Sequence, residues 1–292
     1  MALTQRSIQE LKGEGFLLNR GTETFSARII TGNGTLDCNT LTTLSHLAET
    51  FGEGKVSLTG RLTVEVPGIP AAKIPAFKEE IASHSLQTGG TGRKVRPVVA
   101  CKGNTCIYGL ANSQAIALEI HRQFYQGWHE ITLPHKFKIA VGGCPNSCVK
   151  PELNDLGIVA QRVVHIAPGC KACKKCPVEI ACPMGAIMKD AQGKRFIDRN
   201  ICNNCSRCRD CCHFGKINTE VTRFSVYLGG RWGKQKRSGT KLKNLYQEQE
   251  LFPLITAILT LFKNKGKSGE RFASLVERLG MDYLEDLLHE SL

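Results

Sequence analysis

Fourteen cysteines dominate the chemistry that this 292-residue sequence could support. In the middle of the chain, two short loops each carry a pair: Cys101 with Cys106, and Cys144 with Cys148. Four thiolates from two distant loops are the ligands that a cubane iron–sulfur cluster needs. The two loops therefore predict one cluster that is bound by both.

Two lysines stand a few residues before the second pair. Lys136 and Lys138 alternate with Phe137 and Ile139, so a strand over residues 131–142 would present both lysines on one face. Lysine is most often solvated, but the apolar residues that follow indicate a central strand, where two ammonium groups need an anionic partner. A cluster with a cationic face beside it suggests reduction of a small anion.

Eight further cysteines follow in two regular motifs. The first runs Cys-x2-Cys-x2-Cys-x5-Cys-Pro from Cys170, and the second runs Cys-x2-Cys-x2-Cys-x3-Cys from Cys202. This pattern resembles the bacterial two-cluster ferredoxin, in which the fourth cysteine of each motif binds the other cluster. The resemblance implies two ligand sets, which are Cys170, Cys173, Cys176 and Cys212 for one cubane and Cys202, Cys205, Cys208 and Cys182 for the other.

Two alternatives stay open in this assignment. Cys211 is adjacent to Cys212 and could replace it as a ligand. Zinc could bind paired Cys-x2-Cys knuckles, but a triple Cys-x2-Cys-x2-Cys with a distant fourth cysteine favours iron–sulfur clusters. The sequence thus predicts three [4Fe-4S] clusters and leaves Cys38 and Cys211 as buried thiols.

The segment LPHKFK and the later CPNSC closely resemble the core of the sirohaem-dependent sulfite and nitrite reductases. That family has a cysteine pair, a lysine-bearing strand and then Cys-x3-Cys. The spacing of the first pair here, Cys101-x4-Cys106, is one residue shorter than usual. This difference affects the expected path of the loop more than the number of ligands. The similarity covers about residues 25–245 and is greatest to small anaerobic and dissimilatory-type sulfite reductases with an inserted ferredoxin domain.

The resemblance implies roles for particular residues. Cys148 would bridge the central cluster to the sirohaem iron. Four cations would bind the substrate anion, which are Arg61, Arg96, Lys136 and Lys138. Arg93 is the alternative to Arg96 as the second substrate-binding arginine. Otherwise Arg93, together with Arg231, is expected to bind sirohaem. The rest of the basic run at 231–243 would be a solvated loop or a patch for a partner.

Apolar periodicity predicts a β-α-β-α unit over the first 90 residues, with a first helix that ends at Gly52 and one strand over residues 55–66. Together with the resemblance, this implies an α+β protein of three parts. They are a ferredoxin-like half-domain at 1–90, a sirohaem and [4Fe-4S] domain at 91–166 and 218–292 that includes two amphipathic C-terminal helices, and an inserted bacterial-type two-cluster ferredoxin domain at 167–217.

The net charge of +13 would ordinarily suggest a polyanionic partner. Clusters of about −2 each and the carboxylates of sirohaem would offset this charge, so nucleic acid is not expected. Fourteen cysteines without a visible secretory signal indicate metal or cluster ligands and not disulfides, which predicts a reducing compartment, the cytoplasm. The longest apolar run is too short to span a bilayer.

The resemblance to the sirohaem-dependent reductases implies an enzyme that reduces sulfite to sulfide, with electrons entering through the ferredoxin insert. A nitrite reductase, or a reductase of another small anion, would use the same cations. A non-catalytic electron-transfer subunit would use the insert alone. No flavin or nicotinamide fingerprint is visible, so a separate donor protein is expected. With a single half-domain, the chain is expected to form a homodimer or a hetero-oligomer.

Overall fold

The computed structural model describes residues 4–290, which form two compact units. The first comprises the chain up to Val99, Ala117–Ile139 and Thr260–Leu275. The second comprises Ala100–Ile116, Ala140–Leu259 and the chain from Val276. The domain boundaries read from the sequence stay a prediction.

The first unit is built on an antiparallel sheet with the strand order β1-β2-β4-β3. Its elements are α1 (Gln5–Gly13), β1 (Phe16–Leu18), β2 (Thr24–Ile29), α2 (Cys38–Phe51), β3 (Ser57–Leu58), β4 (Val64–Pro70) and α3 (Ile74–Ser83). Alternate residues of β2 are buried and share one core with α2 and α3. Asp37 caps α2 by accepting a hydrogen bond from the Thr40 N–H, and the predicted end at Gly52 is confirmed.

The predicted strand over residues 55–66 is wrong, because a turn at residues 59–63 divides it. The Leu62 N–H donates to the Thr59 carbonyl at 3.1 Å, and Leu62 has a φ of 59°. Leu58 is 83% exposed on the short edge strand β3, so its place in the apolar alternation does not reflect burial. The turn carries Arg61.

The second unit contains a five-stranded sheet with the order β13-β12-β7-β6-β5. The strands are β5 (Val99–Ala100), β6 (Ile139–Gly142), β7 (Leu156–Gln161), β12 (Arg223–Leu228) and β13 (Thr240–Tyr246). Every residue of β6 and β7 is buried. The strand predicted over residues 131–142 is therefore shorter than expected, and its lysines precede β6.

The ferredoxin-type motifs lie between two paired strands of this unit. Strand β8 (Val164–Ile166) pairs with β11 (Ile217–Thr219) in antiparallel orientation. Between them the chain forms α5 (Pro177–Ala181) and a hairpin of β9 (Ile187–Lys189) and β10 (Arg195–Ile197). Arg195 is buried, pairs with Glu179 at 2.6 Å and donates to the Cys173 carbonyl at 3.2 Å. This ion pair holds α5, the hairpin and the first cysteine motif together.

The remaining helices are α4 (Ser113–Ile120), α6 (Leu251–Lys265), α7 (Phe272–Leu279) and α8 (Met281–Glu290). A π-helical turn at His121–Gln126 continues α4. The sequence predicted two tail helices; a third arises because Gly280, with a φ of 82°, ends α7 before α8 begins. From residue 4 to residue 290, no helix combines the length and the apolarity needed to cross a membrane.

Candidate active site

A cavity of about 310 Å³ in the first unit gathers cationic side chains. All four cations that were expected to bind substrate line it. The charged lining residues are Arg28, Arg61, Arg96, Lys136 and Lys138, and the rest of the lining is Thr59, Gly60, Thr63, Gly90 and Pro97. Among the lining residues there is no carboxylate, so the cavity suits a small anion.

The glycine-rich stretch TGGTGRK supplies the centre of this arrangement. The Gly90 carbonyl accepts hydrogen bonds from Nη1 of Arg28, at 3.4 Å, and from Nη1 of Arg96. The hydroxyl of Tyr125 accepts the Gly90 N–H at 2.9 Å. Gly90 has a φ of 71°, and a Cβ there would lie 3.0 Å from Pro97. Glycine therefore permits one backbone carbonyl to orient two guanidinium groups.

Lys136 and Lys138 line the same cavity, on either side of a residue that points into the core. Phe137 is fully buried, and its ring centroid lies 5.7 Å from Phe262 and 5.0 Å from Phe272. The predicted alternation holds here without a regular strand, because the Phe137 backbone forms only an isolated parallel bridge. The aromatic cluster thus fixes the segment that carries both lysines.

Arg61 reaches the cavity from the turn before β4. Its Nη2 donates to the Pro97 carbonyl at 2.6 Å and to the Ile139 carbonyl at 3.1 Å. Arg93 is not among the lining residues; it is exposed, and its Nε donates to the Leu133 carbonyl at 3.2 Å. Of the two competing arginines, Arg96 is the one at the cavity.

Arg28 is a cavity residue that the sequence reasoning missed. It lies on β2 directly opposite Glu65 of β4, and the two side chains form an ion pair of 2.6 Å. A signal existed, because opposite charges at paired positions of neighbouring strands stabilise a sheet. The sequence alone did not show that these two segments pair.

The electrostatic effect of the cations is visible at His135. Burial lowers the pKa of this imidazole to about 4, and four positive neighbours contribute to the shift, which are Arg271, Lys136, Arg96 and Arg93. Nδ1 of His135 accepts the Lys136 N–H at 2.8 Å. The ring is neutral near pH 7, and this part of the first unit carries a positive field.

In the second unit, the structure brings together the four cysteines of the central loops. Cys144 is buried, and burial raises the pKa of its thiol, with a further rise from Cys101, Cys106 and Cys148 nearby. The Gly143 N–H donates to Sγ of Cys101 at 3.1 Å. N–H donors of this kind stabilise a thiolate ligand.

The four cysteines assigned to one insert cluster also lie together. Burial raises the pKa of Cys208 to about 11, and Cys182, Cys205 and Cys202 raise it further. Sγ of Cys182 accepts the Ala186 N–H at 3.3 Å. Such thiols are deprotonated most readily when a metal binds them.

The other assigned set lines a small cleft beside α5. The cleft contains Cys170, Cys173, Cys176 and Cys212. Cys211 does not line it, and its thiol donates to the Arg207 carbonyl at 3.4 Å. Hydrogen bonds from the Arg195 and Ala172 backbone lower the pKa of Cys170. Cys38, expected to be buried, is exposed at the start of α2.

One insert loop packs against the central-cluster loop within the second unit. The Arg207 guanidinium lies over the Tyr108 ring, 3.9 Å from its centroid. Arg207 lies between Cys205 and Cys208, and Tyr108 follows Cys106 by two residues. The Arg162 N–H also donates to the carbonyl of Asn204 at 2.9 Å.

The basic loop after β12 contains Arg231, which lies outside the cysteine motifs in the sequence. Arg231 and Arg237 exchange backbone hydrogen bonds of 2.8 Å, and Nε of Arg231 donates to the Gln235 carbonyl at 2.8 Å. Arg237 pairs with Glu277 at 3.0 Å. The loop is therefore ordered by its own arginines.

Within residues 4–290, no three His, Cys, Asp or Glu side chains lie close enough to hold a single metal ion. A cubane does not need three side chains on one metal ion, because each of its four cysteines binds a different iron atom.

Comparison with known protein families identifies the family of this chain. Residues 91–292 match the nitrite and sulphite reductase 4Fe-4S domain. The chain belongs to this family. Residues 18–84 also match the nitrite/sulfite reductase ferredoxin-like half domain. The predicted family, its oxidoreductase class and the α+β fold class are confirmed.

Relatives extend over most of the chain. An uncharacterized protein of Methanocaldococcus jannaschii, MJ0551, is 28% identical over 91% of each chain. The coenzyme F420-dependent sulfite reductase of the same organism is 30% identical over 82% of this chain, which spans 38% of that protein. The crystal structure of dissimilatory sulfite reductase I has a TM-score of 0.73, at 18% identity, over 91% of this chain and 69% of that one. The structural likeness supports the fold.

Proposed function

We propose that this chain reduces sulfite to sulfide with sirohaem and iron–sulfur clusters. Sulfite would take up six electrons and seven protons and yield hydrosulfide and three waters. The observation that carries the proposal is the cavity lined by five cations and no carboxylate, in a chain that also gathers four cysteines at its central loops. Sulfite is favoured as the anion because a relative named a sulfite reductase is 30% identical over 82% of this chain, whereas the nitrite reductases of Klebsiella oxytoca and Synechococcus elongatus, each 32% identical, match 35% and 44% of it.

The cations would bind the anion and deliver protons. Arg61 and Arg96 are held by backbone carbonyls, and Arg28 is held by Glu65 and the Gly90 carbonyl, so the three guanidinium groups are oriented before the anion arrives. Lys136 and Lys138 carry ammonium groups, which can donate hydrogen bonds and protons to oxygen as each S–O bond breaks. Arg28 joins the four predicted cations in this role.

The donor sets fit the cofactors that the family implies. Sirohaem, when bound, supplies the iron at which sulfite is reduced, and the clusters supply electrons. Cys101, Cys106, Cys144 and Cys148 would hold the central cubane, with Cys148 also bridging to sirohaem. Arg93 and Arg231 would bind carboxylates of the macrocycle.

Electrons would enter at the insert and pass to the central cluster. The contact between Arg207 and Tyr108 supports this route, because it joins the loop of Cys205 and Cys208 to the loop of Cys106. The cubane of Cys202, Cys205, Cys208 and Cys182 would then be the inner relay. The cubane of Cys170, Cys173, Cys176 and Cys212 would be the outer one.

Two other functions fit parts of this arrangement. A nitrite reductase would use the same cations on a different anion. A non-catalytic electron-transfer subunit would need only the insert. The absorption spectrum of anaerobically purified protein separates the last from the enzymes, because only sirohaem adds strong visible bands to the broad cluster absorption.

Three cubanes per chain give a direct prediction. Iron and acid-labile sulfide in reconstituted protein should each approach about twelve per chain, with one additional iron in sirohaem. The reason is that twelve cysteines form three sets of four. A value near eight of each would remove the central cluster, and with it the proposed enzyme.

The working unit would contain more than one chain. It would act in a reducing compartment, the cytoplasm. Residues 18–84 match one half-domain, whereas family members that work alone carry two such copies. One copy would leave a side of the macrocycle exposed, and a two-fold dimer is the simplest way to cover it. Light scattering of cofactor-loaded protein is expected to show a dimer or a larger assembly. A fully active monomer would contradict this.

A further inference from the structure

The ferredoxin-type insert is basic. Residues 167–217 contain ten lysines and arginines against four aspartates and glutamates, a net charge of +6. Arg195 and Arg209 are paired with Glu179 and Asp210. Two cubanes of about −2 each would leave the loaded insert positive. The insert thus keeps an excess of positive charge that binding of its own clusters does not remove.

Part of this charge surrounds the outer set of cysteines. Lys171, Lys175 and Lys216 line the same cleft as the four cysteines, and so does Phe214. Lys171 and Lys175 are exposed, and Phe214 is 54% exposed. Among residues 4–290, no ion pair involves these three lysines. We call Lys171, Lys175, Lys216 and Phe214 the lysine patch.

We propose that the lysine patch is the docking site for the electron donor, and that the donor is a protein electron carrier with an acidic surface. The inference rests on the proposed function and names the partner of its first step. Cationic side chains beside an exposed aromatic residue, here Phe214, are typical of a transient interface, in which charge speeds association. One electron would pass from the reduced carrier to the outer cubane at each encounter, so the carrier is oxidised and the cubane reduced.

The patch meets the requirement that the donor approach a cluster closely. Its residues lie in the cleft of the cysteines themselves, whereas the inner set lies in the part of the insert that packs on Tyr108. The basic loop at 231–243 is the rival surface, but it begins 19 residues after Cys212 and none of its lysines lines the cleft of the outer cysteines. Charge reversal at each surface separates the two.

The test compares the variant K171E/K175E with K234E/K236E, which changes the same number of charges at exposed lysines of the rival loop. Reduced acidic bacterial-type ferredoxin serves as one donor and reduced methyl viologen as the other, with sulfite as acceptor. In K171E/K175E, kcat/KM for ferredoxin should fall at least ~10-fold at low salt, and the difference should shrink near 0.5 M salt. K234E/K236E should stay within about twofold of the parent. The milder K171Q/K175Q should be intermediate.

Binding gives a readout that is independent of turnover. Calorimetric titration of oxidised ferredoxin into cluster-loaded protein should show weaker binding by K171E/K175E alone. An equal loss of rate with methyl viologen, or a changed potential of the outer cluster, would mean that the lysines tune the cluster, and would overturn the proposal. So would weaker ferredoxin binding in K234E/K236E alone. If methyl viologen drives no sulfite reduction in the parent, the proposed function is wrong. The calorimetric titration still tests whether ferredoxin binds at the lysine patch.

Discussion

Cys144→Ser is expected to abolish sulfite reduction and to lower the cluster iron from about twelve to about eight per chain. Cys144 is the buried member of the central group, with the other three cysteines around it. Serine offers an alcohol that binds iron far less well than a thiolate, and in the proposed route electrons reach sirohaem through this cluster. Iron analysis and a turnover assay on the same preparation measure both effects.

The adjacent pair Cys211 and Cys212 supplies a matched control for this reasoning. Cys212→Ser should lose the outer cubane, because Cys212 lines the cleft with Cys170, Cys173 and Cys176. Cys211→Ser should keep all three clusters, because its thiol instead donates to the Arg207 carbonyl. If Cys211→Ser loses a cluster and Cys212→Ser does not, the two assignments must be exchanged. If Cys144→Ser keeps its iron, the central site is wrong.

Lys136→Met and Lys138→Met should each lower kcat/KM for sulfite by about 10²–10³-fold, the size of effect seen when one oriented donor to developing charge is removed. Methionine keeps the apolar stem and removes the ammonium group, so the packing of Phe137 between them should survive. Sirohaem content, measured from the visible spectrum, should be unchanged. Steady-state assays with reduced methyl viologen give the rates.

Lys55→Met provides the comparison, because Lys55 is exposed and does not line the cavity. It should retain activity within about twofold. Unchanged turnover in both lysine variants would remove these side chains from the anion site. Loss of sirohaem together with activity would assign them to cofactor binding instead.

Local patterns were enough to predict several of these features. Cysteine spacing, together with the resemblance to the two-cluster ferredoxin, predicted three sets, and the structure brings the members of each set together. Helical spacing predicted α2 with its end at Gly52. Alternation placed Phe137 opposite its flanking lysines, because extended backbone turns successive side chains to opposite sides whether or not a full strand forms.

Other features depend on contacts between distant segments. Arg28 was missed because its place opposite Glu65 exists only once β2 pairs with β4. Arg96 reaches the cavity and Arg93 does not, and the Gly90 carbonyl that holds Arg96 is not distinguishable in sequence from the other carbonyls of a glycine-rich loop. The turn at residues 59–63 was hidden because Leu58 continues an apolar alternation although it is exposed.

The central claim is tested most directly by the ratio of electrons consumed to sulfide formed. Anaerobically purified, cofactor-loaded protein is given sulfite and reduced methyl viologen, and viologen oxidation and sulfide are measured together. The account predicts one sulfide for every six viologen radicals oxidised. Protein with full sirohaem and cluster content that forms no sulfide from sulfite, yet oxidises viologen with nitrite, would contradict it.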